Sequence, residues 1–224
     1  MCYTKFMNTK VEKIYDCLKE KFPNPTCELK FKNNYELLIS VILSAQCTDK
    51  RVNMVTPKLF EKYPTVFHMA NAKQDELEKE IHSCGFYHNK AKNIIGACKD
   101  IANKFGGEIP EDYDSLLSLS GVGRKTANVV WSVGFGKEAI AVDTHVFRVS
   151  KRMGLSNGAT PEKVEQDLQK ILPKSLWAEM HFLMVLFGRY WCKAQKPLCD
   201  DCKLKQFCVY YKNKIKDRKK EICF

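Results

Sequence analysis

Apolar residues recur along this chain every three to four positions, and they alternate by two almost nowhere. That periodicity confines the chain to helical folds. Thr9 and Glu12 read as a capping box ahead of a stripe of Val11, Ile14, Tyr15 and Leu18. Asn33 and Glu36 repeat the signal before Tyr35–Leu43, which is apolar on nearly every face, as a helix inside a core is. Ala91, Ile94, Ile95, Cys98, Ile101, Ala102 and Phe105 form a third stripe, stopped by Gly106–Gly107. Thr160 before Pro161 is an N-cap followed by an N1 proline, heading Val164, Leu168, Ile171 and Leu172. Ser175–Gly188 gives one more apolar helix. The expected fold class is all-α, and 224 residues suffice for one large domain or two small ones. No repeat or low-complexity linker interrupts the pattern. Val209–Phe224, with six Lys or Arg against two acids, reads as a solvated, frayed tail or as one that touches phosphate.

The formal net charge of +11 suits a polyanionic partner, either nucleic acid or an anionic membrane surface, although a merely soluble basic protein can carry it too. No apolar run approaches the roughly eighteen residues that span a bilayer. The longest uncharged stretches, Leu37–Thr48 and Thr126–Gly136, contain polar residues or glycine. Met1–Lys13 lacks the apolar centre of a signal peptide, so a cytoplasmic location away from membranes is expected, beside the nucleoid in a bacterium.

In such a reducing compartment the eleven cysteines are not expected to be paired. Seven are singletons, from Cys2 to Cys98 and then Cys223, and read as small core hydrophobes or surface thiols. The other four, Cys192, Cys199, Cys202 and Cys208, crowd together as C-x6-C-x2-C-x5-C. Four thiolates can hold zinc or an iron–sulphur cluster. Zinc usually takes two short-spaced pairs, whereas here a single C-x2-C is flanked by two outlying cysteines, so spacing leans to iron–sulphur and leaves zinc open. The ligand loops carry Lys193, Lys196, Lys203 and Lys205 and little apolar core, so a metal centre is needed to fix their shape.

Tyr113–Leu119 and Thr126–Val133 both look helical, and Ser120-Gly121-Val122-Gly123-Arg124-Lys125 joins them as a candidate helix–hairpin–helix over about 113–132. Outward-facing amides of such a turn, with the positive dipole end of the next helix, bind one phosphate whatever the base sequence. A G-x-G turn alone also connects many helix pairs innocently. Lys125 sits at a helix N-terminus, an awkward place for a cation but a useful one for a nucleophile. At a reference pKa of about 10.4, roughly one lysine in a few thousand is neutral at pH 7, and each unit of depression multiplies that by about ten. Burial, Arg124 and the helix dipole would all act in that direction. Eighteen residues on, Asp143 closes the apolar run Ala139–Val142, and this segment alone reads as an N-cap, with His145 structural.

Leu43-Ser44-Ala45-Gln46 before Thr48-Asp49, Gly123-Arg124-Lys125-Thr126-Ala127-Asn128 and Val142-Asp143-Thr144-His145 together change those odds. Over nearly its full length the chain resembles the endonuclease III family of iron–sulphur base-excision DNA glycosylases. The resemblance implies two helical domains with DNA bound between them. A barrel with the hairpin would span 27–137, and a discontinuous cluster domain would take 1–26 and 138–224. It implies Lys125 as Schiff-base nucleophile, Asp143 as its activator, and a [4Fe-4S] cluster on the four cysteines. It further implies DNA contacts by Gln46 and Phe86, beside the phosphate contacts expected of the hairpin at Gly121, Val122, Gly123 and Arg124 and of Lys193 and Lys196 on the loop a metal centre would hold. Gln46 would fill the void left by an extruded base and Phe86 would wedge; as bland alternatives, Gln46 is a polar helix end and Phe86 a core aromatic. Ser120 departs from the family, where proline is common, and that costs the hairpin some rigidity. The implied activity is a bifunctional glycosylase and AP lyase, a monomer working on double-stranded DNA that holds damaged pyrimidines or abasic sites.

Two other readings remain open. An adenine or mismatch-specific glycosylase shares the cluster and the aspartate but lacks a hairpin lysine. The adenine-specific kind also carries a further lesion-reading domain beyond the cluster. A non-catalytic DNA-binding module with a structural metal needs the hairpin and the charge, and has no use for both Lys125 and Asp143.

Overall fold

The computed structural model describes residues 7–222, with side chains through Ile215. Cys2, Cys223 and part of the Met1–Lys13 segment discussed above lie outside the described residues. The helices in chain order are α1 (Thr9–Lys21), α2 (Asn34–Leu43), α3 (Asp49–Lys62), α4 (Val66–Ala70), α5 (Gln74–Ile81) and α6 (Tyr87–Lys104). They continue as α7 (Tyr113–Leu117), α8 (Arg124–Phe135), α9 (Thr144–Met153), α10 (Pro161–Ile171), α11 (Trp177–Tyr190) and α12 (Val209–Ile222). Short 3-10 turns cover His82–Cys84 and Lys174–Leu176. No strand occurs among the described residues, so the all-α expectation holds. No helix among them is long and apolar enough to cross a membrane.

The chain separates into two compact units, Cys27–Lys137 and the discontinuous pair Met1–Thr26 with Glu138–Phe224. In the continuous unit α2 is the core helix, with every residue from Tyr35 to Leu43 buried. Helices α3, α6 and α8 pack around it, and α4 and α5 pack on α6. Each fully buried Leu or Ile there contributes about 1.5–3 kcal/mol. Asn33 caps α2 by accepting the Glu36 amide at 2.9 Å. Glu36 completes the box one residue further back than usual, accepting the Lys32 amide at 2.7 Å.

In the discontinuous unit α9 packs on α11, flanked by α1, α10 and α12. Ile14, Val146, Val149, Val164, Leu168, Met180, Leu183 and Met184 form its fully buried centre. Gly188 of α11 lets α9 come close, since a Cβ there would stand 2.8 Å from His145 Cβ.

Three local expectations are corrected. The cap of α1 is Asn8, whose side chain accepts the Lys10 amide at 2.9 Å. Thr9 becomes the first helical residue, because Asn is the stronger N-cap. Helix α11 begins at Trp177 rather than Ser175, because Pro173 holds an extended φ and ψ and one 3-10 turn intervenes. The basic C-terminal segment is not frayed but helical from Val209 to Ile222. Its Lys and Arg are good helix formers, and its first turn is anchored by the Lys212 amide on the Cys208 carbonyl at 3.2 Å.

Candidate active site and cysteine centre

Gly123 caps α8 from an extended conformation, which places Arg124 and Lys125 in the first turn of that helix. Lys125 is half-buried, and its Nζ donates to Ser44 Oγ at 3.3 Å. Ser44 is the C-cap of α2, and its hydroxyl in turn donates to the Val41 carbonyl at 2.8 Å. The turn that follows carries exposed Gln46 with φ 51°. The fold therefore gathers Lys125, Ser44 and the Gln46 turn at one end of the buried helix.

The turn holding Phe86 is fastened to the same place by Lys90, a buried lysine whose Nζ donates to the carbonyls of Leu43 and Cys84, both at 2.8 Å. Burial holds the Lys90 ammonium below its ordinary pKa. Phe86 itself is 64% exposed with φ 48°, which excludes the core-aromatic reading. Lys90 went unnoticed in the sequence, where a lysine in an amphipathic helix reads as solvated.

The hairpin is clamped to one face of α6. Gly121 has φ +73°, and a Cβ there would lie 2.4 Å from Asn93 Cβ. One turn on, a Cβ on Gly96 would lie 2.8 Å from Ser120 Cβ. One turn further, Asp100 Oδ2 accepts both the Ser120 amide at 3.0 Å and the Ser120 hydroxyl at 2.7 Å. Burial opposes the ionisation of Asp100, but the bonds from Ser120 and Lys104 outweigh it and hold the carboxyl below the usual range. The rigidity expected to be lost with proline is thus supplied by a carboxylate. The outward-amide expectation fails at Val122, whose side chain is buried and whose amide donates to the Leu119 carbonyl at 3.0 Å.

In the discontinuous unit Asp143 is the N-cap of α9, its Oδ1 accepting the amides of His145 at 2.9 Å and Val146 at 2.8 Å. The carboxylate is half-buried and held in one orientation. Burial holds His145 below its ordinary pKa, against the pull of Asp143, and its Nδ1 meets Arg148 Nη2 at 3.1 Å. The same helix carries two arginines to the cysteine loop. Arg148 donates to the carbonyls of Cys192 at 3.1 Å and Gly188 at 2.8 Å. Arg152 donates to Cys192 Sγ at 3.4 Å and to the carbonyls of Lys193 at 2.7 Å and Ala194 at 3.0 Å.

Cys192, Cys199, Cys202 and Cys208 line one small pocket, together with Met153, Phe187 and Tyr211. Cys192, Cys202 and Cys208 are buried. The Tyr211 amide donates to Cys208 Sγ at 3.4 Å, and the Cys208 thiol in turn donates to the Arg152 carbonyl at 3.2 Å. Among the described residues no three His, Cys, Asp or Glu side chains are arranged to grip a single ion. Four cysteine side chains around one shared apolar space have the donor chemistry of a thiolate-held metal centre. Lys193 and Lys196 are exposed on the Cys192–Cys199 loop, and Lys196 has φ 46°.

An all-helical chain with a glycine hairpin and a lysine in the first turn of the hairpin's second helix in one unit, and a capped aspartate in the other, defines a class, and the comparisons with known proteins agree. The chain belongs to the HhH-GPD superfamily of base excision DNA repair proteins, whose family model matches residues 39–174. Within it the chain is similar to endonuclease III of Rickettsia felis, 46% identical over 205 residues that cover 92% of this chain and 96% of the relative. It is 48% identical to endonuclease III of Bacillus subtilis over 199 residues, covering 88% and 91%. Among solved structures, a trapped endonuclease III–DNA covalent intermediate in its estranged-adenine complex superposes with a TM-score of 0.89. It is 50% identical, and the match covers 93% of this chain and 100% of that one.

Proposed function

We propose that the chain is a bifunctional DNA glycosylase and AP lyase of base excision repair that removes oxidised pyrimidines and cuts the strand 3′ to the resulting abasic site. The observation that carries this reading is Lys125, half-buried in the first turn of the hairpin's second helix, with its amine against Ser44 and beside the Gln46 turn. The relative trapped as a covalent DNA intermediate supports the same chemistry. A lysine in that position also disfavours a glycosylase without lyase activity and a merely binding module.

Chemistry at C1′ of a damaged nucleotide requires the base to leave the stack, at a cost of a few kcal/mol. Gln46 meets the orphaned partner base and Phe86 wedges into the stack. The hairpin, through Gly121, Gly123 and Arg124, takes a backbone phosphate, and Lys193 and Lys196 take others. Asp143 stabilises the positive charge that develops on the sugar as the base departs, and accepts the proton that frees the Lys125 amine. The amine attacks C1′, and the resulting imine acidifies C2′ so that β-elimination breaks the 3′ C–O bond. The products are a free base, a 3′ unsaturated aldehyde and a 5′ phosphate.

Cys192, Cys199, Cys202 and Cys208 hold a [4Fe-4S] cluster. When bound it supplies structure, fixing a loop that has little apolar core of its own. Arg148 and Arg152 orient that loop from α9. The protein acts as a monomer in the compartment that holds the DNA.

Borohydride trapping tests the reading. Duplex DNA with one thymine glycol should give a covalent adduct with wild type and none with Lys125→Ala. Base release without an adduct would shift the assignment to a monofunctional glycosylase centred on Asp143. Neither outcome on this or an abasic substrate would leave the binding module.

A further inference from the structure

Ser44 ends the buried helix α2 as its C-cap, and each of its polar atoms is engaged. Its amide donates to the Ser40 carbonyl at 3.0 Å, and its carbonyl accepts the Cys47 amide at 3.1 Å. Its hydroxyl donates to the Val41 carbonyl at 2.8 Å and accepts from Lys125 Nζ at 3.3 Å. The Leu43 carbonyl beside it is held by the buried Lys90 ammonium at 2.8 Å. The oxygen that meets Lys125 is therefore fixed in place by both its own residue and its neighbours.

The direction of these bonds bears on the chemistry. A hydroxyl has one proton and two lone pairs, and a carbonyl can only accept, so the Ser44 proton is committed to Val41. Towards Lys125 the oxygen offers a lone pair alone, and the bond runs from the lysine N–H to Ser44. A hydroxyl that donated to a neutral amine would occupy the lone pair that has to attack. Ser44 engages an N–H and leaves that lone pair free.

We propose that Ser44 is a positioning residue for the Lys125 amine: its oxygen holds one N–H, aims the lone pair away from α2 at the reacting sugar carbon, and keeps the N–H of the iminium that follows. The role rests on the lyase function proposed above. At an abasic site the lysine nitrogen adds to the aldehyde carbon C1′, and one of its protons passes to the aldehyde oxygen. A further proton from solvent lets that oxygen leave as water, and the nitrogen remains as an iminium with a single N–H. Ser44 accepts from the amine at the start and from the iminium at the end, without giving up its bond to Val41. A charged donor strengthens such a bond, so the iminium is held more tightly than the neutral amine. At 3.3 Å the contact has room to shorten as the charge develops.

The test compares wild type with Ser44→Ala, Ser44→Cys and Ser44→Thr by single-turnover cyanoborohydride trapping on a duplex holding one abasic site. Affinity for a duplex with a tetrahydrofuran analogue, which has no aldehyde to react, is measured alongside. Alanine removes the oxygen, cysteine keeps the volume but substitutes a weak acceptor, and threonine keeps the hydroxyl. Ser44→Ala and Ser44→Cys should trap about 10- to 100-fold more slowly while tetrahydrofuran binding stays within about twofold, and Ser44→Thr should recover to within about fivefold of wild type. Trapping at the wild-type rate in Ser44→Ala or Ser44→Cys overturns the role. A loss of affinity that matches the loss of rate also overturns it, since that marks a merely structural turn, and so does Ser44→Thr as slow as Ser44→Ala. If Ser44→Ala fails to fold, the cysteine and threonine variants decide by themselves. Wild type that forms no adduct overturns the proposed function and this role with it, whereas normal wild-type trapping with an unimpaired Ser44→Cys removes the role and leaves the function standing.

Discussion

Replacing Asp100 should loosen the hairpin in this chain but not in a version carrying proline at position 120. Asp100 receives two hydrogen bonds from Ser120, at 3.0 and 2.7 Å, and one ion pair with Lys104 at 3.0 Å. Hydrogen bonds to a charged group are worth about 1.5–3 kcal/mol when buried, and this rim site keeps only part of that. Asp100→Ala should therefore cost about 1–2 kcal/mol. In a protein of 224 residues this is a drop in Tm of about 2–8 °C. Ser120→Pro removes both donors while restoring backbone stiffness. In that background the same Asp100→Ala should cost under about 0.5 kcal/mol, the residue of an exposed i,i+4 pair. Thermal and urea unfolding by circular dichroism of the four proteins closes the cycle, and affinity for abasic DNA should follow the same order. Equal costs in the two backgrounds would falsify the idea that the carboxylate stands in for proline.

Gly121→Ala forces a Cβ to 2.4 Å from Asn93 at φ +73°, and should cost about 1–3 kcal/mol with a loss of DNA affinity in filter binding. Lys90→Met removes two buried bonds at 2.8 Å and leaves two carbonyls unpaired, so the urea midpoint should fall by the equivalent of about 2–4 kcal/mol. Asp143→Asn keeps the N-cap, because Asn accepts the same amides. Stability should stay within about 0.5 kcal/mol of wild type while single-turnover base release falls about 10²- to 10⁴-fold. Asp100 and Glu179 are both held below their ordinary values, Glu179 by Lys19 and Tyr15 against the cost of burial. Their stabilisation is complete above the unfolded carboxylate range near pH 4 and disappears as pH falls through the lower folded values. Acid unfolding of Glu179→Gln should accordingly begin from lower stability and show a shallower pH dependence.

The helices were legible because their information is local. Apolar spacing found α2, α6 and α10, and Asn33 and Thr160 announced their caps. Position errors arose where two neighbouring residues competed for one role, as Asn8 and Thr9 did, or where a proline inserted a tighter turn, as at Pro173. What resisted reading was long-range polar satisfaction. Nothing near Lys90 in sequence says that its ammonium will close the carbonyls of two distant turns. Nothing near Asp100 says that it will take both donors of Ser120, twenty residues away.

Backbone strain singles out three residues that the proposed function assigns to DNA. Among the described residues the non-glycine positions with positive φ are Gln46, Phe86 and Lys196, each of them among the side chains proposed above to meet DNA. A left-handed conformation costs a non-glycine residue on the order of 1–3 kcal/mol, and folding alone gives no reason to keep it. Glycine adopts it without a Cβ penalty, and the chain does place glycine at Gly85, directly before Phe86. Leaving a phenylalanine 64% exposed in the next, equally left-handed position combines strain with unburied apolar surface. Both are recovered only if the ring is buried elsewhere, and a gap between DNA bases is such a place. Gln46 and Lys196 are exposed in the same way, one with an amide that can meet a base edge and one with a charge that can meet a phosphate. On the function proposed above, the strain at these three positions would act as preorganisation, each exposed side chain being held where DNA is proposed to meet it.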